Sequence, residues 1–243
     1  MTKANADDIV KVELLAYTQN PKEVIYAAAR QCYSKLGAFE IYSQTKKVSS
    51  AKLKEFITHL MQRGHESPLE HVNFTFAIEG VSRVCTHQLV RHRIASYSQQ
   101  SQRYVSMENF GFIVPPLIAK NKEAKEKFQA AIADTLKHCS ELKKILEADK
   151  KLNREKINED LRFLLPGACD TKIVVTMNTR ELIHFFAERL CLRAQWEIRE
   201  LAAKMYVHCK KVVPEIFSTV GPKCKLHKLC PEHNQSCPLY PKQ

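Results

Sequence analysis

Three arginines, one histidine and three serines lie within the thirteen residues 91–103, where the sequence is RHRIASYSQQSQR. Guanidinium groups bind phosphate oxygens in bidentate geometry, and serine hydroxyls add further hydrogen bonds. A solvated basic loop after a helix explains the same composition, because the helix dipole favours arginine at that end. Composition alone therefore leaves a phosphate site and a plain basic loop equally open.

The overall composition narrows the kind of ligand. The 243 residues are enough to bury one sizeable core, and the formal net charge of +12 calls for anionic partners such as nucleic acid, a membrane surface or phosphorylated small molecules. The six glycines form no G-x-G, which excludes the Rossmann fingerprint and the P-loop. We find neither a long apolar run nor a signal-peptide pattern, so we expect a cytoplasmic protein whose nine cysteines are reduced.

Helices and short strands are predicted to position this basic segment. The clearest strand is 72–78, where apolar and polar residues alternate. Asn20 followed by Pro21 predicts one helix start, and the capping-box spacing of Asn178 and Glu181 predicts another. The predicted strands are 9–17, 72–78 and 172–177, and the predicted helices are 21–34, 50–64, 82–93 (followed by a polar segment), 120–150, 154–165 and 180–212.

Three ordered blocks give the chain a family resemblance. The basic segment has the spacing RHR-x7-S, and the block HESPLEH precedes it at 65–71. The third block comprises RFLLP at 162–166, TMNTR at 176–180, Arg189 and AQWEI at 194–198. A lone RHR is weak, but three blocks in this order and spacing are specific. Over roughly residues 10 to 215, the chain resembles the flavin-dependent thymidylate synthases.

The resemblance implies an α+β fold, a mixed helix-and-sheet single domain of that family's type over 1–215 that is not a Rossmann fold. A Cys/His-rich basic tail follows at 216–243. It also implies a homotetramer whose active sites are shared between subunits. The implied enzyme methylates dUMP to dTMP, with FAD as cofactor and NADPH and 5,10-methylenetetrahydrofolate as co-substrates. Neither nucleic acid nor a membrane is expected as a partner.

The same resemblance assigns site residues by their motif positions. The residues expected to bind dUMP are Gln88, Arg91, Gln99, Gln100, Ser101, Arg103, Arg162 and Arg189. The residues expected to bind FAD are His65, Ser67, Glu70, Arg91, His92, Arg93, Asn178, Arg180 and His184.

Arg189 is the expected catalytic residue. Uracil is a poor acceptor until negative charge on its ring is stabilised, and a fixed cation beside the ring supplies that stabilisation. The alternative is an ordinary ion pair of Arg189 with Glu188 or with an acid on a neighbouring helix.

Three positions depart from the family pattern. His184 stands where relatives often have asparagine, so both a flavin contact and an ordinary histidine position stay open for it. Arg193 stands where some relatives have histidine. Gln99 replaces a glutamate of many relatives, which removes one negative charge beside the substrate.

The cysteines are not expected to act in catalysis. Cys85 and Cys191 fall within predicted helices among apolar residues, which favours buried packing over a nucleophilic role. In the tail, Cys224, Cys230, His233 and Cys237 have the spacing C-x5-C-x2-H-x3-C, which could bind zinc. A reduced, mobile tail is slightly favoured, and no metal site is assigned.

Two other functions compete with the enzyme. A nucleic-acid-binding protein would use Arg91, Arg93 and Arg103 on phosphates, with Tyr97 and Tyr104 stacking on bases. That function leaves the second and third blocks unexplained. A zinc-dependent interaction module on an inactive scaffold is the least favoured, because the motif is intact.

Overall fold

The computed structural model describes residues 9–106 and 110–241 and confirms the α+β class. Four strands are described: β1 (Lys11–Tyr17), β2 (Asn73–Ser82), β3 (Ala95–Gln99) and β4 (Asp170–Asn178). The helices are α1 (Pro21–Gln31), α2 (Ala38–Thr45), α3 (Ser50–Gln62), α4 (Arg83–Leu89), α5 (Pro116–Ala119), α6 (Lys122–Glu147), α7 (Arg154–Leu161), α8 (Thr179–Arg189), α9 (Trp196–Val212), α10 (Pro214–Phe217) and α11 (Lys223–His227). Short 3₁₀ turns lie at Ser67–His71 and Arg162–Leu164.

The strands form one sheet in the order β1-β2-β4-β3. Strands β2 and β4 run antiparallel, because residues later in β4 pair with residues earlier in β2. The hydroxyls of Thr75 and Thr176 lie 2.9 Å apart, and the Thr179 amide donates to the Val72 carbonyl at 2.8 Å. The alternating burial of β2 confirms the strand predicted at 72–78, which continues to Ser82.

The chain divides into two compact units, each with a core of its own. The first contains residue 9 and the ranges 79–88 and 98–173, apart from 107–109. Its core is Phe110, Cys139, Ile157, Leu161 and Cys169. The second contains 10–78, 89–97 and 174–241. The domain boundary predicted after residue 215 stays a prediction.

Aromatic side chains fill the core of the second unit. Phe217 packs edge-on against Phe74 and Phe186, with ring centroids 5.9 Å apart in both pairs. Tyr206 packs against Phe186 at 5.5 Å and donates its hydroxyl to the Phe217 carbonyl. Edge-to-face pairs of this kind add about 1 kcal/mol each to the burial of the rings. The part of α8 around Phe186 is therefore fixed by packing against α9 and α10.

Two of the predicted helix starts are confirmed and one cap is wrong. The Asn178 side chain accepts from the Glu181 amide at 2.8 Å, and Ser49 caps α3 by accepting from the Lys52 amide. Pro21 does begin α1, but Asn20 has a left-handed backbone with φ of 50° and makes no side-chain cap. In that conformation its side chain cannot take the usual N-cap geometry, which requires an extended backbone. The helix α2 was not predicted.

The helix predicted over 180–212 is wrong as a single element. It ends at Arg189, and α9 begins at Trp196. The Gln195 side chain accepts from the backbone amides of Glu197 and Ile198 and so caps a new helix. The interrupting residues include neither glycine nor proline, so the sequence pattern gave no indication of the break.

The helix predicted over 82–93 is shorter, and the polar segment after it contains a strand. Helix α4 ends at Leu89, and β3 follows at the edge of the sheet. The Tyr97 hydroxyl lies 2.9 Å from the Leu89 carbonyl oxygen and 2.7 Å from that of His92. Carbonyls at a helix end need such partners, and a tyrosine on the returning strand provides them.

Candidate active site

A buried line of three polar side chains forms the centre of the second unit's site. The Nδ1 atom of His92 lies 3.2 Å from a carboxylate oxygen of Glu181, and the Nε atom of Arg189 donates to Nε2 of His92 at 3.1 Å. Only 5% of His92 and 6% of Glu181 are exposed. These contacts join the RHR segment to both ends of α8.

The hydrogen bonds fix the protonation state of His92. A guanidinium group can only donate, so Nε2 must be an acceptor without a proton, and Nδ1 carries the proton that is donated to Glu181. Burial, and to a smaller extent the charges of Arg189 and His184, together lower the pKa of His92 to about 4. Burial also raises the pKa of Glu181. His92 is therefore neutral at physiological pH and meets Glu181 through a hydrogen bond.

Arg189 is the last residue of α8 and is half-buried. Glu188, one alternative partner of Arg189, forms an ion pair with Lys223, and this pair together with the nearby charges of His184 and Arg189 lowers the pKa of Glu188 despite its burial. Holding the Arg189 side chain by a neutral histidine leaves its positive charge uncompensated by that contact. A fixed cation with free N–H groups suits a developing anion.

His184 and Arg193 lie on the surface. The ring of His184 is exposed, with its centroid 5.6 Å from that of His92. Arg193 donates to Glu232 at 3.2 Å, an ion pair with a residue of the C-terminal tail. A flavin contact of His184 stays a prediction.

A second group of predicted flavin residues lies around the start of α8. Arg180 forms ion pairs with Glu70 and, at 3.2 Å, with Glu66. Asn178 uses its side-chain oxygen to cap α8. The structure therefore brings together Glu70 and Arg180, and their assignment to the flavin site stays a prediction.

A cavity of about 310 Å³ lies beside the 3₁₀ turn that carries Glu70. Its lining includes His65 and Ser67, two more of the predicted flavin residues, together with the basic or polar side chains Arg30, His59 and Arg63. Arg91 and Arg93 lie on either side of buried His92 in the turn after α4, and both are exposed.

The first unit contains a polar cluster around Gln99. The amide nitrogen of Gln99 donates to the hydroxyls of Thr86 at 2.9 Å and of Thr171 at 3.2 Å. Both N–H groups of the Gln99 side-chain amide are then used. The side-chain carbonyl oxygen points away from the two threonines and can accept a hydrogen bond. In the following residues, the backbone N–H of Gln100 donates to the Lys172 carbonyl, and the Ser101 hydroxyl accepts from the backbone N–H of Arg103.

Arg103 is held by carboxylates. Its NH2 group lies 2.6 Å from Glu155 and 3.2 Å from Glu159, and its Nε atom is buried without a hydrogen-bond partner among the described residues. About 38% of the Arg103 side chain is exposed. A phosphate ligand would have to displace these carboxylates, which weakly bound surface pairs permit.

Arg162 lies in the 3₁₀ turn after α7, beside a second guanidinium group. Burial lowers the pKa of Arg83, and the charge of Arg162 lowers it further. Two neighbouring guanidinium groups favour an anion between them. Gln88, also predicted to contact the nucleotide, is half-buried in α4.

Two residues of the candidate site, Glu181 and Arg83, were not predicted from the sequence. Glu181 was interpreted only as a capping-box residue, and nothing in the sequence indicated that its carboxylate would reach His92. Arg83 follows the strand that bears the clear alternation, and its proximity to Arg162 depends on the folded chain.

The position of Tyr97 bears on the nucleic-acid-binding alternative. The Tyr97 hydroxyl is hydrogen-bonded to backbone carbonyls, and its side chain is half-buried, so it is poorly placed to stack on a base. Among the helices of the described ranges, none is both long enough and apolar enough to span a membrane.

Comparisons with known proteins agree with these observations. Residues 13–215 match the family model described as thymidylate synthase complementing protein. The chain is 52% identical to the flavin-dependent thymidylate synthase of Clostridium tetani over 240 residues, which covers 94% of this chain and 93% of the relative. It is 48% identical to that of Nitratidesulfovibrio vulgaris, with 95% of both chains covered, and 44% identical to that of Pyrococcus furiosus, with 93% and 91% covered. Identity at this level over nearly the full length shows that the chain belongs to the flavin-dependent thymidylate synthase family.

Proposed function

We propose that this chain catalyses the reductive methylation of dUMP to dTMP. The methylene carbon of 5,10-methylenetetrahydrofolate forms a bond to C5 of the uracil ring, and the C5 proton leaves. Two electrons and hydrogen from NADPH reduce the transferred carbon to a methyl group, and tetrahydrofolate is released. The Glu181–His92–Arg189 line is the observation that carries this proposal.

Arg189 is the catalytic residue of the proposal. Negative charge develops on the uracil ring as C5 becomes the nucleophile that bonds to the one-carbon unit. The N–H groups of Arg189 that His92 does not engage stabilise this charge without first reorganising, since the neutral histidine already fixes the side chain. Electrostatic stabilisation of this kind contributes about 3 to 4 kcal/mol in other enzymes.

The remaining predicted nucleotide residues supply recognition. Arg103 and Arg162 are suited to the phosphate, because guanidinium forks match its oxygens. Ser101 offers a hydroxyl, and the carbonyl of Gln99 offers an acceptor to a base or sugar N–H or O–H. Arg83 adds a cation beside Arg162 and joins the set.

The residues of the second unit fit an FAD cofactor. The pyrophosphate and adenine groups of FAD are bound by cations and hydrogen-bond donors. The motif positions offer such groups at Arg93, Arg180, His65 and Ser67. The last two line a cavity that is bordered by Arg30 and Arg63. This donor set suits a large anionic ligand. When bound, the flavin carries the reducing equivalents from NADPH to the one-carbon unit.

The test is the visible absorption spectrum of the purified chain, recorded before and after addition of dUMP. We expect a flavin spectrum that dUMP perturbs, because nucleotide binding changes the surroundings of the flavin ring. Deoxyuridine, which differs from dUMP only in lacking the phosphate, serves as the matched control and should perturb the spectrum only at much higher concentration. A chain that stays colourless after incubation with FAD would refute the proposal.

Three finer expectations accompany the proposal. We infer a homotetramer with shared active sites, NADPH as the reductant and a cytoplasmic location. Sedimentation of the purified chain, comparison of NADPH with NADH as reductant, and localisation of a tagged chain test them separately.

A further inference from the structure

A cavity of about 260 Å³ at the C-terminal end of α8 is bordered by four cysteines. Cys191 lies in the loop after α8, and Cys224, Cys230 and Cys237 lie close together in the C-terminal tail. We propose that these four thiols bind a thiophilic metal centre, a zinc ion or an iron–sulfur cluster, which fastens the C-terminal tail to the end of α8. Thiolates select these metals over magnesium or calcium.

Cys191 is placed in this cavity by the break between α8 and α9. The expectation that it packs inside a continuous helix is wrong, because it lies in the loop after Arg189 and is partly exposed. Cys85, which was expected to be buried, is buried in α4.

The tail brings the other three thiols to the cavity through short turns. Cys224 lies in α11 and is buried, whereas Cys230 and Cys237 are partly exposed. The His233 amide donates to the Cys230 carbonyl at 3.1 Å, and the Tyr240 amide donates to the Cys237 carbonyl at 2.9 Å. Turns that follow ligand cysteines are the usual way in which a short segment supplies several thiols to one centre.

His233 is not one of the ligands that we propose. It is exposed, has a left-handed backbone with φ of 50°, and does not line the cavity. The structure thus replaces the C-x5-C-x2-H-x3-C set of the tail by a four-cysteine set that includes Cys191. The sequence could not have suggested it, since Cys191 lies more than thirty residues before Cys224.

Several charged side chains share the cavity with the four thiols, and a bound cation would stabilise every thiolate at once. The charged residues of the lining are Arg189, Arg193, Lys223, Glu188 and Glu232, one more cation than anions.

The thiols border one space but do not yet surround one point. Within the ranges 9–106 and 110–241, no three His, Cys, Asp or Glu side chains are arranged to hold an ion. Metal binding therefore requires the turns of the tail to close, and such coupling of binding to local folding is common. The ion pairs Arg193–Glu232 and Lys223–Glu188 already hold the tail, but partly exposed pairs contribute at most about 1 kcal/mol each.

The metal content of the full chain tests the proposal. The protein is prepared anaerobically without a metal-binding tag, and zinc, iron and acid-labile sulfide are measured per chain. We expect either about one zinc or iron with matching sulfide, and X-ray absorption should show sulfur neighbours at about 2.3 Å from the metal. Zinc identifies a single ion, and iron with sulfide identifies a cluster.

Single substitutions identify the ligands. Cys191→Ser and Cys237→Ser should each lower metal content roughly tenfold or more. The matched controls Cys32→Ser, an exposed cysteine elsewhere, and His233→Ala should leave it unchanged. Because Cys191→Ser could affect folding, circular dichroism is recorded for each variant, and Cys237→Ser provides a test in a peripheral position.

Two outcomes would overturn the proposal. One is wild-type protein with metal well below one equivalent, even after anaerobic incubation with Zn²⁺ or with Fe²⁺ and sulfide. The other is metal that persists in folded Cys191→Ser and Cys237→Ser. Neither outcome touches the flavin spectrum, so the methylation proposal is tested independently.

Discussion

The two units hold their key arginines in different ways. Arg189 is half-buried and donates to a neutral histidine, so its position is set before any ligand arrives. Arg103 is also half-buried, but its guanidinium group is occupied by two carboxylates. A preorganised cation suits charge stabilisation in a transition state, whereas an arginine on exchangeable partners suits ligand capture and release. The contrast supports the proposed division of roles, in which Arg189 acts in catalysis and Arg103 binds the nucleotide.

The largest effect is expected for Arg189→Ala. Turnover should fall by about 10²–10³-fold, because the cation beside the uracil is lost. Bound flavin should remain, since Arg189 is not among the predicted flavin residues. Single-turnover rates and flavin absorbance per chain are the measurements. Loss of flavin with normal activity per remaining flavin would contradict the catalytic assignment.

A pH dependence of stability is expected from His92. The unfolded chain takes up this proton near pH 6.5, but the folded chain does so only near pH 4. Neutral His92 therefore contributes stability above pH 6.5, and the free energy of unfolding falls by up to about 3 kcal/mol as the pH drops from 6.5 to 4.

Urea titrations across that range, on wild type and His92→Gln, isolate this contribution. The amide of glutamine does not titrate, so the variant should show a shallower pH dependence. Equal slopes for the two proteins would show that His92 is not held neutral by the fold.

The smallest effect is expected where Arg103 exchanges partners. If the phosphate of dUMP must displace the carboxylates, Glu155→Gln combined with Glu159→Gln should tighten dUMP binding by up to about fivefold. Arg103→Gln should weaken it instead. The dissociation constant for dUMP is measured through the flavin spectrum, with Glu141→Gln, which removes an exposed carboxylate on α6, as the control. Unchanged affinity in both Arg103→Gln and the double variant would remove Arg103 from the binding set.

Local chemistry made part of the site predictable, and long-range packing hid the rest. The RHR-x7-S spacing indicated the family, and the Asn178 cap could be predicted because it depends on neighbours in sequence. The partnership of Glu181 with His92 spans 89 residues and exists only after α8 has packed beside the turn that follows α4. The same reason explains Cys191, whose surroundings depend on where the tail lies.

Helix ends were the least predictable part of the fold. The pattern of 180–212 is compatible with one long helix, and the Gln195 cap that divides it is an uncommon choice. The strand β3 has little apolar alternation because it lies at the edge of the sheet. Its formation depends on pairing with β4, which no local pattern describes.

The break after α8 makes the rotational phases of α8 and α9 independent. In one continuous helix, an inserted residue would rotate every later side chain by about 100° about the axis. Here an insertion within 190–195 leaves both the direction of Arg189 and the packed face of α9 unchanged. One residue inserted between Glu181 and Arg189 would instead turn the guanidinium group away from His92. For the directions of these two helices, a change of length is therefore tolerated in the loop, whereas the same change one turn earlier would displace Arg189 from His92.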